Sequence, residues 1–515
     1  MLYGRTATFD FVHADDADLI EGNRAFLSDL TNLPRAFTRS YFEVEGETVA
    51  QKTYYRPVAI ASFMIDAAFG GSNPRVYHAT NVVLHAAAAC LLMALALSWG
   101  AARWAALAAA LVFAVHPVNV QTVAWIAGRN DLLMTVFGLL SLLAWSRARL
   151  GFGIRDLGFG LCHSIAFALA LFSKEIGLFF PAIAVLHQRL VLREKPGRAQ
   201  WIALGCDAAI VIAWGVLRAK ALAGMPSELS GETLTVVASN APQVLVHLRK
   251  MFVPVFLNVA PGVYDRDLLL AAVTLVVLAI AASRWWSGPL RALAAAWVLL
   301  FLVPTLAVPG LPVYEHRAYL PLVGILLVGA IAVTDRNRLR APRFAGPPKP
   351  PAEAEGPPRI VVGYVGAVIL VFVTLTYHRQ EAFRDAFAYW TDATRDARFG
   401  PIAHVNLGQL YEAADRPREA RREYLRALER DPNTPKAHNN LGVVLMKLDE
   451  PDLALAHFRE ETERHPWNAD GWFNLALWME TRGQSAAARK YYERAIEVNP
   501  SYAPAYEKLG RLPPK

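Results

Sequence analysis

The sequence predicts an all-α chain, a polytopic membrane helical bundle followed by an α-solenoid of short repeats. Three observations carry this. At 515 residues and 54% hydrophobic the chain is too apolar for a soluble multi-domain protein, yet 19% of it is charged, which fits a division between membrane and water. The charges are dense before residue 60 and after residue 378, while Ala, Leu, Val and Phe dominate between. After residue 400 a short motif recurs at a strict spacing of 34.

Four segments follow: a polar outer loop over 1–77, a membrane domain over 78–377, a connecting helix over 378–400 and repeats over 401–515. The membrane domain holds ten apolar runs, at 78–98, 102–115, 131–146, 159–172, 176–188, 201–217, 267–283, 292–308, 318–334 and 360–377. A full crossing takes about 20 residues, so several are short. The loops Arg147–Gly158 and Arg189–Gln200 are both basic, and Lys and Arg accumulate on the cytoplasmic side. The chain therefore crosses an even number of times between them, with Ser173-Lys174-Glu175 at the outer tip of two short helices. The same alternation puts Arg284–Arg291 and Asp335–Arg359 in the cytoplasm and delivers everything after His378 to the outer face. Residues 1–77 then also lie outside, which predicts an eleventh crossing encoded ahead of Asp15.

A net charge of +8 is explained by these cytoplasmic loops, so no nucleic-acid partner is expected. Cys90, Cys162 and Cys206 lie apart in apolar runs, and neither a disulfide framework nor a zinc set is readable from them.

In the repeats, Asn406-Leu407-Gly408, Asn440-Leu441-Gly442 and Asn474-Leu475-Ala476 stand 34 apart. Ala420, Ala454 and Ala488 keep the same period, as do Tyr424, Phe458 and Tyr492, and Pro432, Pro466 and Pro500. Small residues where helices cross, an aromatic between them and a proline that ends the second helix mark the tetratricopeptide repeat. Ala386, Trp390 and Ala393 fall one period upstream, and Ala503–Leu509 reads as a cap. Asn406, Asn440 and Asn474 are expected on the concave face, where amides bind an extended peptide backbone or satisfy neighbouring helix ends.

Ionisable residues at a membrane are costly and mark function more often than surface charges do. Here they gather at the outer side. Asp15, Asp16 and Asp18 form a carboxylate cluster, which also suits an acidic helix N-terminus. Tyr54-Tyr55-Arg56-Pro57 precedes an amphipathic stretch, Val58–Phe69, readable as an interfacial anchor. His78, Asn81 and His85 share one helix face, where interhelical hydrogen bonds explain them about as well as a ligand site. No HExxH motif or cysteine pair accompanies them, so no metal site is expected there.

His116-Pro117-Val118 leads on to Gly128-Arg129-Asn130-Asp131, whose Arg and Asp either pair together or leave the Arg for a phosphate. Lys174-Glu175 and Glu315-His316-Arg317 complete three outer tips, each presenting one cation beside one acid. That suits an anionic lipid headgroup. The alternative is three unrelated snorkelling pairs.

Taken in order, Asp15-Asp16, Tyr55-Arg56-Pro57, His78-x-x-Asn81-x-x-x-His85, His116-Pro117-Val118, Gly128-Arg129-x-Asp131-Leu132, Ser173-Lys174-Glu175 and His316-Arg317-Ala318-Tyr319-Leu320-Pro321, followed by the repeats, resemble one family. It is the transmembrane and tetratricopeptide-repeat-containing O-mannosyltransferases and their bacterial relatives, similar to the wider GT-C class of multi-span glycosyltransferases. The resemblance implies a GT-C-like membrane domain in the bacterial inner membrane, with the repeats on the periplasmic face. It also implies a polyprenyl-phosphate-linked sugar as donor, possible mannose transfer, and a hydroxyl acceptor on a protein or peptide. The class keeps an acidic pair after its first span, which corresponds to Asp15 and Asp16, with Asp15 as base.

On that reading Arg129, Lys174 and Arg317 stabilise charge on the departing lipid phosphate. Arg56, His78, Asn81, His85, His116, Asp131, Glu175, Glu315 and His316 are the supporting polar residues. Membrane lipid and the lipid-linked sugar are the expected partners, no cofactor is assigned, and a divalent metal is left open. A non-enzymatic scaffold for envelope protein or polysaccharide assembly needs the repeats but not the charged tips. A transporter places ionisable groups near mid-membrane instead.

Overall fold

The computed structural model describes residues 2–512 apart from 13–14, 45–46, 49–53, 149–153, 224–232, 260–264, 308–313, 341–356 and 396–398. It divides into a membrane unit up to Asp385 and a repeat unit from Ala386. Both are built of helices. Strand pairing among the described residues is one two-residue antiparallel ladder, Glu43–Val44 against Glu47–Thr48.

In the membrane unit the helices used below are α1 (Pro57–Gly70), α2 (Pro74–Ser98), α3 (Arg103–Val115), α4 (Val120–Ala124), α5 (Arg129–Arg147), α6 (Ile154–Ser173) and α7 (Phe180–Leu186). They continue as α8 (Arg198–Ala221), α9 (Pro242–Phe252), α10 (Asp265–Trp285), α11 (Gly288–Leu302), α12 (Tyr319–Arg340) and α13 (Arg359–Arg379). Each of the ten apolar runs falls mainly on helix over its described residues. Six of the helices, α2, α5, α6, α8, α12 and α13, are long and apolar enough to cross a membrane, which makes this an integral membrane protein. The other four runs give α3, which is apolar and long enough only together with α4 as a bent pair, the short α7 and α11, and α10, whose apolar part is Leu268–Arg284, so the ten expected crossings are not all full-length helices.

The break after α3 has a local cause. Pro117 cannot donate a backbone hydrogen bond and pushes His116 into extended backbone at ψ 126°, so the chain bends by 50° before α4. Helix α5 is the most buried of the six, with 89% of its apolar stretch buried, whereas α13, at 6%, leaves nearly all of its apolar side chains exposed. One buried polar cluster ties α5, α6 and α8 together. The His163 Nε2 lies 3.0 Å from Asp207, Ser164 donates to the same carboxylate at 2.7 Å, and the Ser141 hydroxyl lies 2.8 Å from His163 Nδ1.

The repeat unit runs α14 (Ala386–Ala393), α15 (Gly400–Ala413), α16 (Pro417–Arg430), α17 (Ala437–Lys447), α18 (Pro451–Arg464), α19 (Ala469–Thr481), α20 (Ser485–Val498) and α21 (Ala503–Arg511). Its period has a packing origin. A Cβ on Gly408 would sit 2.5 Å from the ring of Tyr424, and one on Gly442 would sit 2.5 Å from the ring of Phe458. The small residue on the first helix of each pair is thus the socket for the aromatic on the second. Tyr424, Phe458 and Tyr492 are all buried in one continuous core with Ala420, Ala454 and Ala488.

Of the three asparagines expected on the concave face, each is half-buried. Asn474 donates to Asn439 at 2.8 Å and Asn439 donates to Asn440 at 3.2 Å, so two of the repeat positions are joined through a neighbouring amide.

Candidate active site

The site grows from the turn before α5. Gly128 is required there, because a Cβ would sit 2.3 Å from the carbonyl oxygen of Thr122. The tight turn starts α5 at Arg129, whose side chain is fully buried. Its guanidinium donates to Asp66 at 2.7 Å, to the Tyr77 carbonyl at 2.8 Å and to Ser62 at 2.9 Å, and also to Asn81. Each of its three nitrogens has a protein acceptor. Arg129, expected at the donor phosphate, therefore occupies the scaffold: it locks α5 to α1 and α2.

The other tips are re-paired in the same manner. Lys174 donates to both oxygens of Asp131 at 2.8 and 2.9 Å, not to its neighbour Glu175. Glu175 accepts two hydrogen bonds from Arg56, at 2.9 and 3.3 Å. Glu315, fully buried, accepts from the Asn258 amide at 2.9 Å and has Lys250 at 3.6 Å and Arg379 at 3.4 Å. The three sequence-local pairs are thus replaced by pairs that run between elements. Arg317 is the exception. It is 8% exposed, lies 5.9 Å over the Tyr314 ring, and among the described residues has no carboxylate at ion-pair distance.

Burial alone would raise the Glu175 carboxyl, but the Arg56 guanidinium, helped by Lys174, holds it down at about 2. The pair is therefore intact at all but strongly acid pH. Arg56 also lies 4.4 Å over the ring of Tyr54 and 5.6 Å over that of Tyr41. The amphipathic helix it precedes is not a plain surface anchor, since α1 buries Ile60, Phe63, Met64 and Asp66.

Asp15 and Asp16 meet this cluster. Asp15 is half-buried, within electrostatic reach of Asp16, Tyr41 and Tyr314. Asp16 is buried and accepts from the backbone amides of Val12, at 3.3 Å, and Ala127. Tyr314 in turn stacks on His316 with ring centres 5.4 Å apart, and His316 lies 5.7 Å from the Trp125 ring. The Gln121 amide oxygen fixes the His316 backbone at 3.1 Å. Residues about three hundred positions apart thus come within electrostatic reach: Asp15 with Tyr314, which contacts His316 and Arg317.

The polar stripe on α2 resolves into interhelical hydrogen bonds. Asn81 donates to the carbonyls of Val123 and Trp125 at 3.2 and 3.1 Å. His85 Nε2 lies 3.1 Å from the Ala114 carbonyl and so donates, leaving Nδ1 to accept from the Tyr319 hydroxyl at 2.7 Å. His78 Nε2 reaches the Asp10 carbonyl at 3.5 Å. His116 caps its own turn, accepting from the Val118 amide at 3.2 Å and donating to the Met251 carbonyl at 3.0 Å. His13 lies outside the described residues.

Sequence reasoning missed Asp66, Tyr41, Tyr314, His247 and Lys250. Only Asp66 carried a readable signal, as the lone carboxylate in an apolar helical stretch.

Burial raises Asp16 to about 7, with Asp15 and Glu21 adding to the rise and the Val12 and Ala127 amides opposing it. The unfolded chain titrates this group near 3.8. Between those values the folded state binds the proton more tightly, so stability from this group is full below about pH 4 and is lost as pH rises through 7. Asp16→Asn cannot ionise and escapes that loss. Its melting temperature is expected to match wild type near pH 4 and exceed it above pH 7, by up to about 4 kcal/mol of stability. A constant gap across pH, measured by thermal unfolding in detergent, would sink this assignment.

Fold and site together define a helical integral membrane protein with a cluster of charged residues at helix tips and a tetratricopeptide-repeat solenoid. Tetratricopeptide-repeat family models match residues 405–469 and 469–512. Among curated relatives, human Protein O-mannosyl-transferase TMTC2 is 31% identical over 196 residues, which is 38% of this chain and 23% of that protein. Drosophila melanogaster Protein O-mannosyl-transferase Tmtc1 is 33% identical over 180 residues, 35% of this chain and 20% of that protein. The chain is thus similar, over less than two fifths of its length, to proteins named O-mannosyl-transferases, and it spans less than a quarter of the length of these two. The crystal structure of ArnT from Cupriavidus metallidurans in the apo state aligns with 92% of this chain and 78% of its own, at 13% identity and a TM-score of 0.41.

Proposed function

We propose that this chain is a GT-C-like membrane glycosyltransferase. It moves a sugar, mannose by analogy with its relatives' names, from a polyprenyl-phosphate carrier to a protein hydroxyl at the periplasmic face of the bacterial inner membrane. The observation that carries the reading is that Asp15 and Arg317 both lie within electrostatic reach of Tyr314, with Arg317 5.9 Å over its ring. Transfer needs both ends of that arrangement. Asp15 takes the proton from the acceptor hydroxyl as its oxygen attacks the anomeric carbon. The bond from that carbon to the phosphate oxygen breaks, and the electron pair leaves with the lipid phosphate, whose growing charge Arg317 stabilises.

Lys174 and Arg129 act at one remove. Their charges are matched by Asp131 and Asp66, so they fix the tips between which the two substrates are held. The repeats supply a binding surface for a protein or peptide acceptor, with Asn406, Asn440 and Asn474 as its backbone contacts. Loop charges support an outer location for both parts.

Deleting the gene should remove a sugar from periplasmic or secreted proteins, and wild-type but not Asp15→Asn complementation should restore it. An unchanged glycan pattern after deletion would rule out a protein acceptor.

A further inference from the structure

Helix α9 brings His247 to the cluster. The side chain is 1% exposed, and neither ring nitrogen has a hydrogen-bond partner among the described residues. Other polar side chains of α9 each reach at least one partner: Gln243 donates to Asn240 at 2.9 Å, Arg249 donates to the Val255 carbonyl at 2.8 Å and Lys250 lies 3.6 Å from Glu315. A buried imidazole with both nitrogens unmatched costs folding free energy and calls for a specific reason.

The surroundings supply one. Arg249, Lys250 and Arg317 all lie within electrostatic reach of His247, and so does His316. The Nδ1 of His316 is also buried without a partner. Two elements far apart in sequence thus place buried, unpartnered imidazole nitrogens within electrostatic reach of Arg317, which has no carboxylate at ion-pair distance among the described residues. Oxygens of an anion would satisfy all three groups together.

Building on the transferase reading, we infer that His247 and His316 donate hydrogen bonds to the non-bridging oxygens of the lipid-linked phosphate, while Arg317 carries the opposing charge. Burial, then the cations Lys250, Arg317 and Arg249, hold His247 well below its ordinary titration range, so it acts as a neutral donor. Neutral donors suit this substrate. The donor is a phosphodiester with one negative charge, and bond cleavage turns it into a monoester with a second. Hydrogen bonds that strengthen as that charge grows favour the transition state over the bound donor.

The test uses the full-length chain in detergent with undecaprenyl phosphate as probe, uncharged undecaprenol as control and inorganic phosphate as competitor. His247→Leu removes two unmatched nitrogens, so it should melt at or above the wild-type temperature. It should bind undecaprenyl phosphate about 10-fold or more weakly, as expected for a lost hydrogen bond to a charged group. His247→Asn should recover part of that loss, undecaprenol should bind all forms alike, and inorganic phosphate should compete with the lipid on wild type more strongly than on His247→Leu. Unchanged lipid-phosphate affinity in His247→Leu would overturn the inference while leaving the transferase reading in place if sugar transfer persists. Equal losses of melting temperature and affinity in both variants would assign His247 a packing role and overturn it too. A wild-type chain that neither binds the probe nor transfers sugar would overturn both readings.

Discussion

Asp15→Asn should slow sugar transfer by about 100- to 10,000-fold, the usual contribution of a positioned general base. Asparagine keeps the size of the side chain and loses the ability to accept the proton. The half-buried setting of Asp15 makes the exchange mild for the fold, so the melting temperature should stay within a few degrees. Initial rates with a radiolabelled polyprenyl-phosphate sugar, alongside donor affinity, give the measurement. A fall in the rate at saturating donor with unchanged affinity supports the role, and a loss below fivefold excludes it.

A comparable effect on stability is expected at Arg129. Replacing it with leucine strands Asp66, 3% exposed, and leaves the acceptors on Asn81 and Tyr77 unmatched. Breaking a buried ion pair from one side costs about 3–5 kcal/mol, because the remaining charge has no water to return to. The double replacement Arg129→Leu with Asp66→Leu should recover much of that loss. The contrast with a phosphate ligand is sharp. A residue that held the donor would cost affinity on replacement and leave unfolding unchanged, whereas Arg129→Leu should lower the unfolding midpoint first.

The helical runs and the repeats were legible because both rest on short-range periodicity. A run of apolar residues needs a membrane wherever it packs, and the Gly442 and Phe458 positions recur because one repeat buries only against its like. The charged tips were legible as places, yet their wiring was not. The partners of Arg129 stand at 62, 66, 77 and 81, on two other helices, and nothing local distinguishes Asp66 from Asp131 as its counter-ion. Pairing is decided by which helices lie side by side. The role of His247 was invisible for a related reason: its helix carries basic residues that read as an ordinary amphipathic face, and only burial beside Arg317 sets it apart.

The exchange of partners among the tips has a consequence for how the chain can be modified. Among the described residues, the charged tips at 128–131, 174–175 and 315–317 are not electrostatically self-contained parts. Transplanting Gly128–Asp131 alone from a relative with different charges would orphan Lys174, and transplanting the Lys174-Glu175 turn alone would orphan both Arg56 and Asp131. Chimeras with a relative must therefore carry these loops together with α1, as one interlocked set.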